Sequence, residues 1–372
     1  MLKKIDQYII SKYLKTFFFT VLLFTMVSVI IDFSSQVDKF VEEDCTLKEI
    51  LVDYYLAFIP WINGLLFPLF SLIAVIFFTS RMASNSEIIS ILNAGVSFRR
   101  MMLPYLLASS LICGLHLFGN HLVIPLGNKS KVDFEHKYIY KNEDKGQTRD
   151  VHLLLNRDEE NNRQSKAYIR FYRKRDTSAK DLILEQFEDN SRLIYRLKAK
   201  TAKWIASKDS INNWRLENYE IRHFDQDQER MVFGVRKSID TLLNLYPEDF
   251  VFYENDKLTL TTPELKRAIA LERQRGVKTT KSYEIEIFRR TAEPFTIIIV
   301  TLIGMAIASR KVRGGLGLHL ALGIALGAIY VFLSKFSTTF ATNQSLTPAL
   351  AVWMPNLFFT LILGYLIKNA QK

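Results

Sequence analysis

The chain has only two cysteines, Cys45 and Cys113, in 372 residues. Neither sits in a zinc-ligand spacing. One lies in a short acidic loop and the other in an apolar run, which argues against a disulfide. There is no G-x-x-x-x-G-K-[ST] phosphate loop, so the chain cannot hydrolyse ATP by that route. G-x-S-x-G and H-E-x-x-H are also missing. The six histidines (His116, His121, His136, His152, His223 and His319) are scattered. His116 and His121 are five apart, a spacing that does not align them on one helix face. No basic helix is joined to a groove-reading motif, so the net charge of +11 does not point to nucleic acid. The apolar stretch from Phe17 is not followed by a small-residue cleavage site, and it reads as a retained span. Together these absences predict a chain that is not an enzyme and holds no cofactor or metal.

What is present is a sharp split. Residues 13–124 and 291–367 are dominated by long apolar runs, whereas 128–283 are dense in charged and amide residues. The mean hydropathy of +0.06 averages these two kinds of segment and describes neither. A helix needs about 20 mostly apolar residues to cross the hydrocarbon core. Six segments approach that: Tyr13–Phe33, Tyr54–Phe78, Met101–Ile124, Pro294–Ser309, Leu316–Phe336 and Ala349–Ile367. Pro60 and Pro68 fall inside the second, which a membrane helix tolerates when neighbours satisfy the freed carbonyls. The predicted fold is an α-helical membrane protein of 3+3 spans with an all-β domain inserted between the third and fourth. The predicted bounds are 1–127, 128–283 and 284–372.

Lys and Arg in short loops set orientation. Lys3, Lys4, Lys12, Lys15, Arg81, Arg99, Arg100, Arg310, Lys311, Arg313, Lys368 and Lys372 all fall on one side. The opposite loop 34–53 holds only Lys39 and Lys48 against six acids, and loop 337–348 has no basic residue. Both termini are therefore expected in the cytoplasm, with the insert outside it.

Within the insert, Lys166–Tyr172, Leu193–Ile205 and Trp214–Phe224 alternate at period two, with turn residues at Ser207–Asn213. Short strands so spaced predict an antiparallel sandwich or jelly roll. The alternation fits an ordinary solvated β domain and equally a sheet whose apolar face takes a lipid tail. A helix is expected to follow, capped at Thr262, with Pro263 at its first position and Gly276 at its end.

Two sets of residues stand out as candidate sites. Ser84–Ser97 is too short to span, but Ile88, Ile91, Leu92 and Gly95 recur at helical spacing, predicting an amphipathic helix at the cytoplasmic surface. Ser84-x-x-Glu87 matches a capping box, so Glu87 could be structural or could pair with a basic residue of a cytoplasmic partner. The second set is the charges at span edges: Asp32, Lys39, Arg289, Arg290, Glu293 and Lys335. They could mark the interface by snorkelling or could bind an anionic head group near the outer leaflet.

At this point the chain resembles the LptF/LptG permeases of the lipopolysaccharide exporter over nearly its whole length. The opening Ile5-Asp6-Gln7-Tyr8-Ile9 is similar to the family's L-D-R-Y-I start. Phe58-Ile59-Pro60 and Phe67-Pro68 resemble its two-proline second span. Ser86-Glu87-Ile88 followed by Ala94-Gly95-Val96-Ser97 resembles its coupling helix, Tyr283 through Pro294 its return segment, and Gly314-Gly315 with Tyr330 its fifth span. AFIP ending at Pro60 and FFTSRMA ending at Ala83 resemble Bacteroidetes-type members. The order and spacing of these motifs carry the likeness, since none is specific alone.

The resemblance implies six membrane helices with a periplasmic β-jellyroll between the third and fourth. It implies a paralogous permease partner, a separate LptB-like ABC ATPase dimer that binds the ATP, and LptC/LptA-like bridge proteins that receive lipopolysaccharide. It assigns ATPase coupling to Glu87, Ile88, Ile91, Ala94 and Gly95. Lipid contact falls to Asp32, Lys39, Arg289, Arg290 and Lys335. Two positions depart from the pattern: Asp32 stands where some members carry a basic residue, and Glu293 where an uncharged one is usual. Two rivals remain, a non-transporting scaffold whose β domain binds a protein, and a permease of another mechanotransmission-type ABC complex. The latter usually has four spans and a large domain after the first, unlike the 3+3 pattern.

Overall fold

The computed structural model describes residues 3–139, 149–158, 163–173, 176–188, 192–205, 213–225, 228–243, 245–247, 256–275, 280–310, 315–343 and 346–369. The predicted turn at Ser207–Asn213 falls, apart from Asn213, outside these residues, as does the predicted helix stop at Gly276. The chain divides into two units. One comprises residues 1–141, 257–265 and 281–372, and the other 142–256 and 266–280.

The first unit is helical. Its elements are α1 (Lys4–Glu42), α2 (Leu56–Ser84), α3 (Glu87–Asn93), α4 (Phe98–Phe118), α5 (Ile124–Phe134), α6 (Asp256–Thr259), the first turn of α7 (Thr262–Arg275), α8 (Thr280–Ala308), α9 (Gly315–Asn343) and α10 (Pro348–Lys368). π-type turns at Glu49–Tyr55, Gly119–Val123 and Glu135–Ile139 extend α2, α4 and α5. Among the described residues six helical stretches are long and apolar enough to cross a membrane; five contain a predicted span entire, and the fourth, Thr280–Ala308, ends one residue short of the predicted Ser309. All run past the apolar core of the prediction. At 39 residues, α1 is roughly 58 Å long, against a hydrocarbon core of about 30 Å. The third span continues through α5 to Ile139, beyond the compositional boundary at 128. It does so because its polar residues find partners: Lys131 pairs with Glu135 at 2.7 Å and its ammonium sits 4.4 Å from the Trp61 ring.

In lipid, apolar burial between helices gives little drive, so close packing and interhelical hydrogen bonds hold the bundle. Both are visible here. Buried Tyr13 on α1 bonds Thr301 on α8 at 2.7 Å, and Ser71 on α2 bonds the same Thr301 at 2.8 Å, joining three helices. Asn63 on α2 accepts from Thr25 on α1 at 2.8 Å and donates to the Ile59 carbonyl. On the other side, Asn356 on α10 and Tyr330 on α9 meet Thr296 on α8. Gly304 lets α8 approach α2: a Cβ there would lie 2.6 Å from Val75 Cγ1 and 3.1 Å from Leu72 Cδ1. The outward residues of α1, among them Phe19, Leu22, Met26, Ile30 and Ile31, are exposed and apolar, as lipid contact requires.

The second unit is a six-stranded antiparallel sheet of β1 (Arg149–Asp158), β2 (Arg163–Arg173), β3 (Ser178–Glu188), β4 (Arg192–Trp204), β5 (Trp214–Phe224) and β6 (Glu229–Thr241). Three strands coincide with the three alternating stretches of the sequence. Among the described residues the strand order is sequential, β1 to β6, an up-and-down meander without the crossover pairing of a jelly roll. Ala167, Ile169, Leu182, Leu197, Ala199, Trp214 and Leu216 form its core, and the Trp214 indole donates to the Leu245 carbonyl at 2.9 Å. Gly234 on β6 faces Tyr219 on β5, whose ring occupies the space of a side chain: a Cβ at Gly234 would lie 2.5 Å from it.

The α7 cap sits one residue earlier than predicted. The Thr261 amide and hydroxyl both donate to Glu264, at 2.8 and 2.7 Å, so Thr261 caps and Thr262 is the first helical residue. The carboxylate at Glu264 is what places the cap: it reaches back three residues.

Candidate functional site

The predicted surface helix is shorter than Ser84–Ser97. Ser84 ends α2, Ser86 takes a left-handed conformation at φ 62°, and α3 occupies Glu87–Asn93. The proposed Ser84–Glu87 capping box therefore does not form. With Ser84 inside the preceding helix, its hydroxyl is not at the start of α3. Gly95 turns the chain at φ 83°, and Ser97 caps α4 by accepting from the Arg100 amide at 3.3 Å. Ile88 is buried beneath α3, Ile91 and Leu92 pack against the bundle core, and Ala94 and Gly95 are exposed. Glu87 instead meets α1. Tyr8 donates its hydroxyl to Glu87 at 2.9 Å, and Lys12 lies 3.8 Å away. Beside it, Arg100 makes a two-pronged pair with buried Asp6 at 2.9 and 2.6 Å. The end of the bundle that carries α3 is thus tied to α1 by two carboxylates.

A cleft of about 180 Å³ opens at the other end of the helical unit. Glu286, Arg289, Arg290 and Glu293 recur three or four residues apart, so one face of α8 presents all four. Lys335 from α9 and Asn120 and Asn128 complete its polar lining, and Trp61, Leu65, Ile124, Pro125 and Leu258 its apolar one. The π-type turn Gly119–Val123 places Asn120 to donate to the Arg290 carbonyl at 3.4 Å and His121 to bond Thr262 at 2.8 Å.

The two adjacent arginines have different surroundings. Arg290 is 3% exposed. It pairs with Glu286 at 3.1 Å and donates to the Lys257 carbonyl at 3.0 Å, which anchors the segment before α7. Arg289 is about a third exposed; it pairs with Glu286 at 2.7 Å and only loosely with Glu293, at 3.8 Å. Lys335 is exposed and makes no ion pair among the described residues.

Asp32 and Lys39 do not join this cleft. Asp32 accepts from the hydroxyls of Tyr54 and Tyr55, both at 3.2 Å. Lys39 donates to the Ile139 carbonyl at 3.2 Å. Of the five charges predicted to meet lipid, the structure brings together Arg289, Arg290 and Lys335, with Arg290 already committed to its own neighbours. The sequence reading missed Glu286, although its spacing from Arg289 and Arg290 was a usable signal. It also missed Asn120, Asn128 and Trp61, which carry no local signal. Among the described residues no group of three His, Cys, Asp or Glu side chains could hold a metal.

No curated protein matches the chain significantly. A family model does, over residues 7–369, and its span includes the two-proline α2, the short helix α3, the inserted sheet and the charged cleft of α8 and α9. The chain belongs to the family of lipopolysaccharide export system permeases, LptF/LptG.

Proposed function

We propose that this chain is one permease subunit of an ATP-driven exporter that lifts lipopolysaccharide from the outer leaflet of the inner membrane and passes it to a periplasmic bridge. Family membership makes it a lipopolysaccharide-export permease. The division of its charges into two ends supports the rest. The excess of basic residues in the short loops on one side supports termini and α3 in the cytoplasm and the sheet in the periplasm. At the cytoplasmic end, α3 is the surface on which a separate ABC ATPase bears. Glu87 is partly exposed and its present partners are on α1, so movement of α3 passes directly to α1 as well as through the chain to α2 and α4. At the opposite end, Arg289 and Lys335 are the cations open to an anionic lipid group. Arg290 positions α8 rather than the lipid. A paralogous permease, an LptB-like ATPase dimer that supplies the nucleotide site, and LptC/LptA-like bridge proteins complete the assembly.

The observation that carries this reading is the pairing of Glu87 with Tyr8 and Lys12, which makes α3 a lever on the first span. The experiment is purification from membranes in detergent, followed by ATPase measurement with and without lipopolysaccharide. A co-eluting ATPase with lipid-sensitive turnover supports the exporter. If the folded chain elutes without an ATPase, a scaffold whose sheet binds a protein partner takes its place.

A further inference from the structure

The cleft along α8, which α2, α5 and Lys335 of α9 also line, presents charges of both signs. It is lined by three cations, Arg289, Arg290 and Lys335, and two carboxylates, Glu286 and Glu293. Glu286 and Arg290 are buried and paired at 3.1 Å, and Arg289 shares the same carboxylate. That leaves Arg289, Lys335 and Glu293 to meet a ligand. Arg289 leans on Glu286 at 2.7 Å and reaches Glu293 only at 3.8 Å, beyond hydrogen-bond distance. Glu293 is therefore a half-satisfied carboxylate in a cleft that also holds Lys335, which makes no ion pair among the described residues. Against a phosphate alone, Glu293 would be repulsive and would work against Arg289 and Lys335. Against a ligand of both signs it completes the set.

We infer that this cleft takes a zwitterionic head group, a phosphate diester bearing a short primary-ammonium arm, with the phosphate held by Lys335 and Arg289 and the ammonium by Glu293. The inference rests on the head-group reading above and adds the ligand's second charge. An ammonium has three donors and suits a carboxylate with free lone pairs. The Asn120 and Asn128 amides add neutral polar contacts, and Trp61 and Leu65 supply an apolar wall for the arm. Such a head group can come from a modified glycolipid or from an ordinary bilayer phospholipid, and the cleft chemistry is the same for both.

The test is native mass spectrometry of the full-length protein in detergent, with four probes. Two are phosphatidylethanolamine and phosphatidylglycerol; two are lipid A with and without a phosphoethanolamine group. The wild type should favour the ammonium-bearing member of a pair by about fivefold, the size of one partly screened ion pair. A preference confined to one pair identifies the source of the head group. Glu293→Gln, close to isosteric, should abolish the preference and leave binding of the plain phosphate equal or stronger. Lys335→Gln should weaken all four. A wild type without preference, or a Glu293→Gln variant that keeps it, overturns the zwitterion inference. Binding of all four probes unmoved by Lys335→Gln overturns the head-group reading itself.

Discussion

Tyr8 donates its hydroxyl to the carboxylate of Glu87, 79 residues away in sequence and 2.9 Å away in space. The contact joins the first turns of α1 to the first residue of α3. The residue that resemblance assigns to a partner ATPase is thus also a tie within the chain. Binding of a basic partner residue to Glu87 must compete with Lys12 or add to it.

From this follows a separation of two variants. Glu87→Ala removes the proposed partner contact and both internal contacts together, whereas Tyr8→Phe removes only the Tyr8 hydrogen bond. In the purified complex, Glu87→Ala should lower the amount of co-eluting ATPase by about fivefold, as expected for one exposed ion pair. Tyr8→Phe should keep the ATPase bound but blunt the response of its turnover to lipopolysaccharide. Equal ATPase recovery from Glu87→Ala and wild type would remove Glu87 from the partner interface.

The Asp6–Arg100 pair fixes the start of α1 to α4. Asp6 is buried, Arg100 is about a third exposed, and the contact is two-pronged. Removing Arg100 leaves a buried carboxylate without its main partner, so Arg100→Ala should destabilise the bundle. A lower thermal unfolding midpoint in detergent reads this out. Arg100→Lys should recover only part, because lysine cannot reproduce the planar fork.

Gly304 and Gly364 test close packing against mere helix propensity. A Cβ at Gly304 would stand 2.6 Å from Val75 Cγ1, whereas nothing lies within 4 Å of one at Gly364. Gly304→Val should destabilise by about 1–3 kcal/mol through overpacking of α8 against α2. Gly364→Ala should be neutral or slightly stabilising. Similar unfolding midpoints for both variants would mean that α2 and α8 do not rely on that approach.

Acid should weaken the sheet before it touches the bundle's apolar packing. On β5 and β6, Arg215 grips Asp240 at 2.8 and 3.0 Å, and its guanidinium holds that carboxyl below the usual carboxylate range. The Ser178 hydroxyl and Arg173 do the same for Asp176. A carboxyl with a depressed folded value contributes stability that is present above its unfolded value, about 3.9, and lost as pH falls through the folded one. The loss therefore lies below about pH 4. Emission from Trp204 and Trp214, next to the Arg215–Asp240 pair, should report a lower unfolding midpoint at pH 3 than at pH 5. Asp240→Asn should reduce that difference; an unchanged difference would remove the pair from the acid response.

The spans, the inserted sheet and the positions of β2, β4 and β5 were legible because hydropathy and period-two alternation are local properties of the chain. Twenty apolar residues read the same whatever they touch, and β5 was found to the residue. The helix ends were less legible. A capping box at Ser84 and Glu87 is a sound local pattern, but Ser84 was already taken by α2. The identity of the neighbours was not legible at all. Nothing near Asp32 in sequence announces Tyr54 and Tyr55, nothing near Asp6 announces Arg100, and adjacent Arg289 and Arg290 look interchangeable until α6, α9 and the Gly119–Val123 turn surround them differently. Sequence alone determined which residues must leave water and which must stay in it. Only the tertiary structure decided which charge is neutralised and which remains open to a ligand, because an ion pair depends on separations of a few ångströms between residues that the chain may place a hundred positions apart.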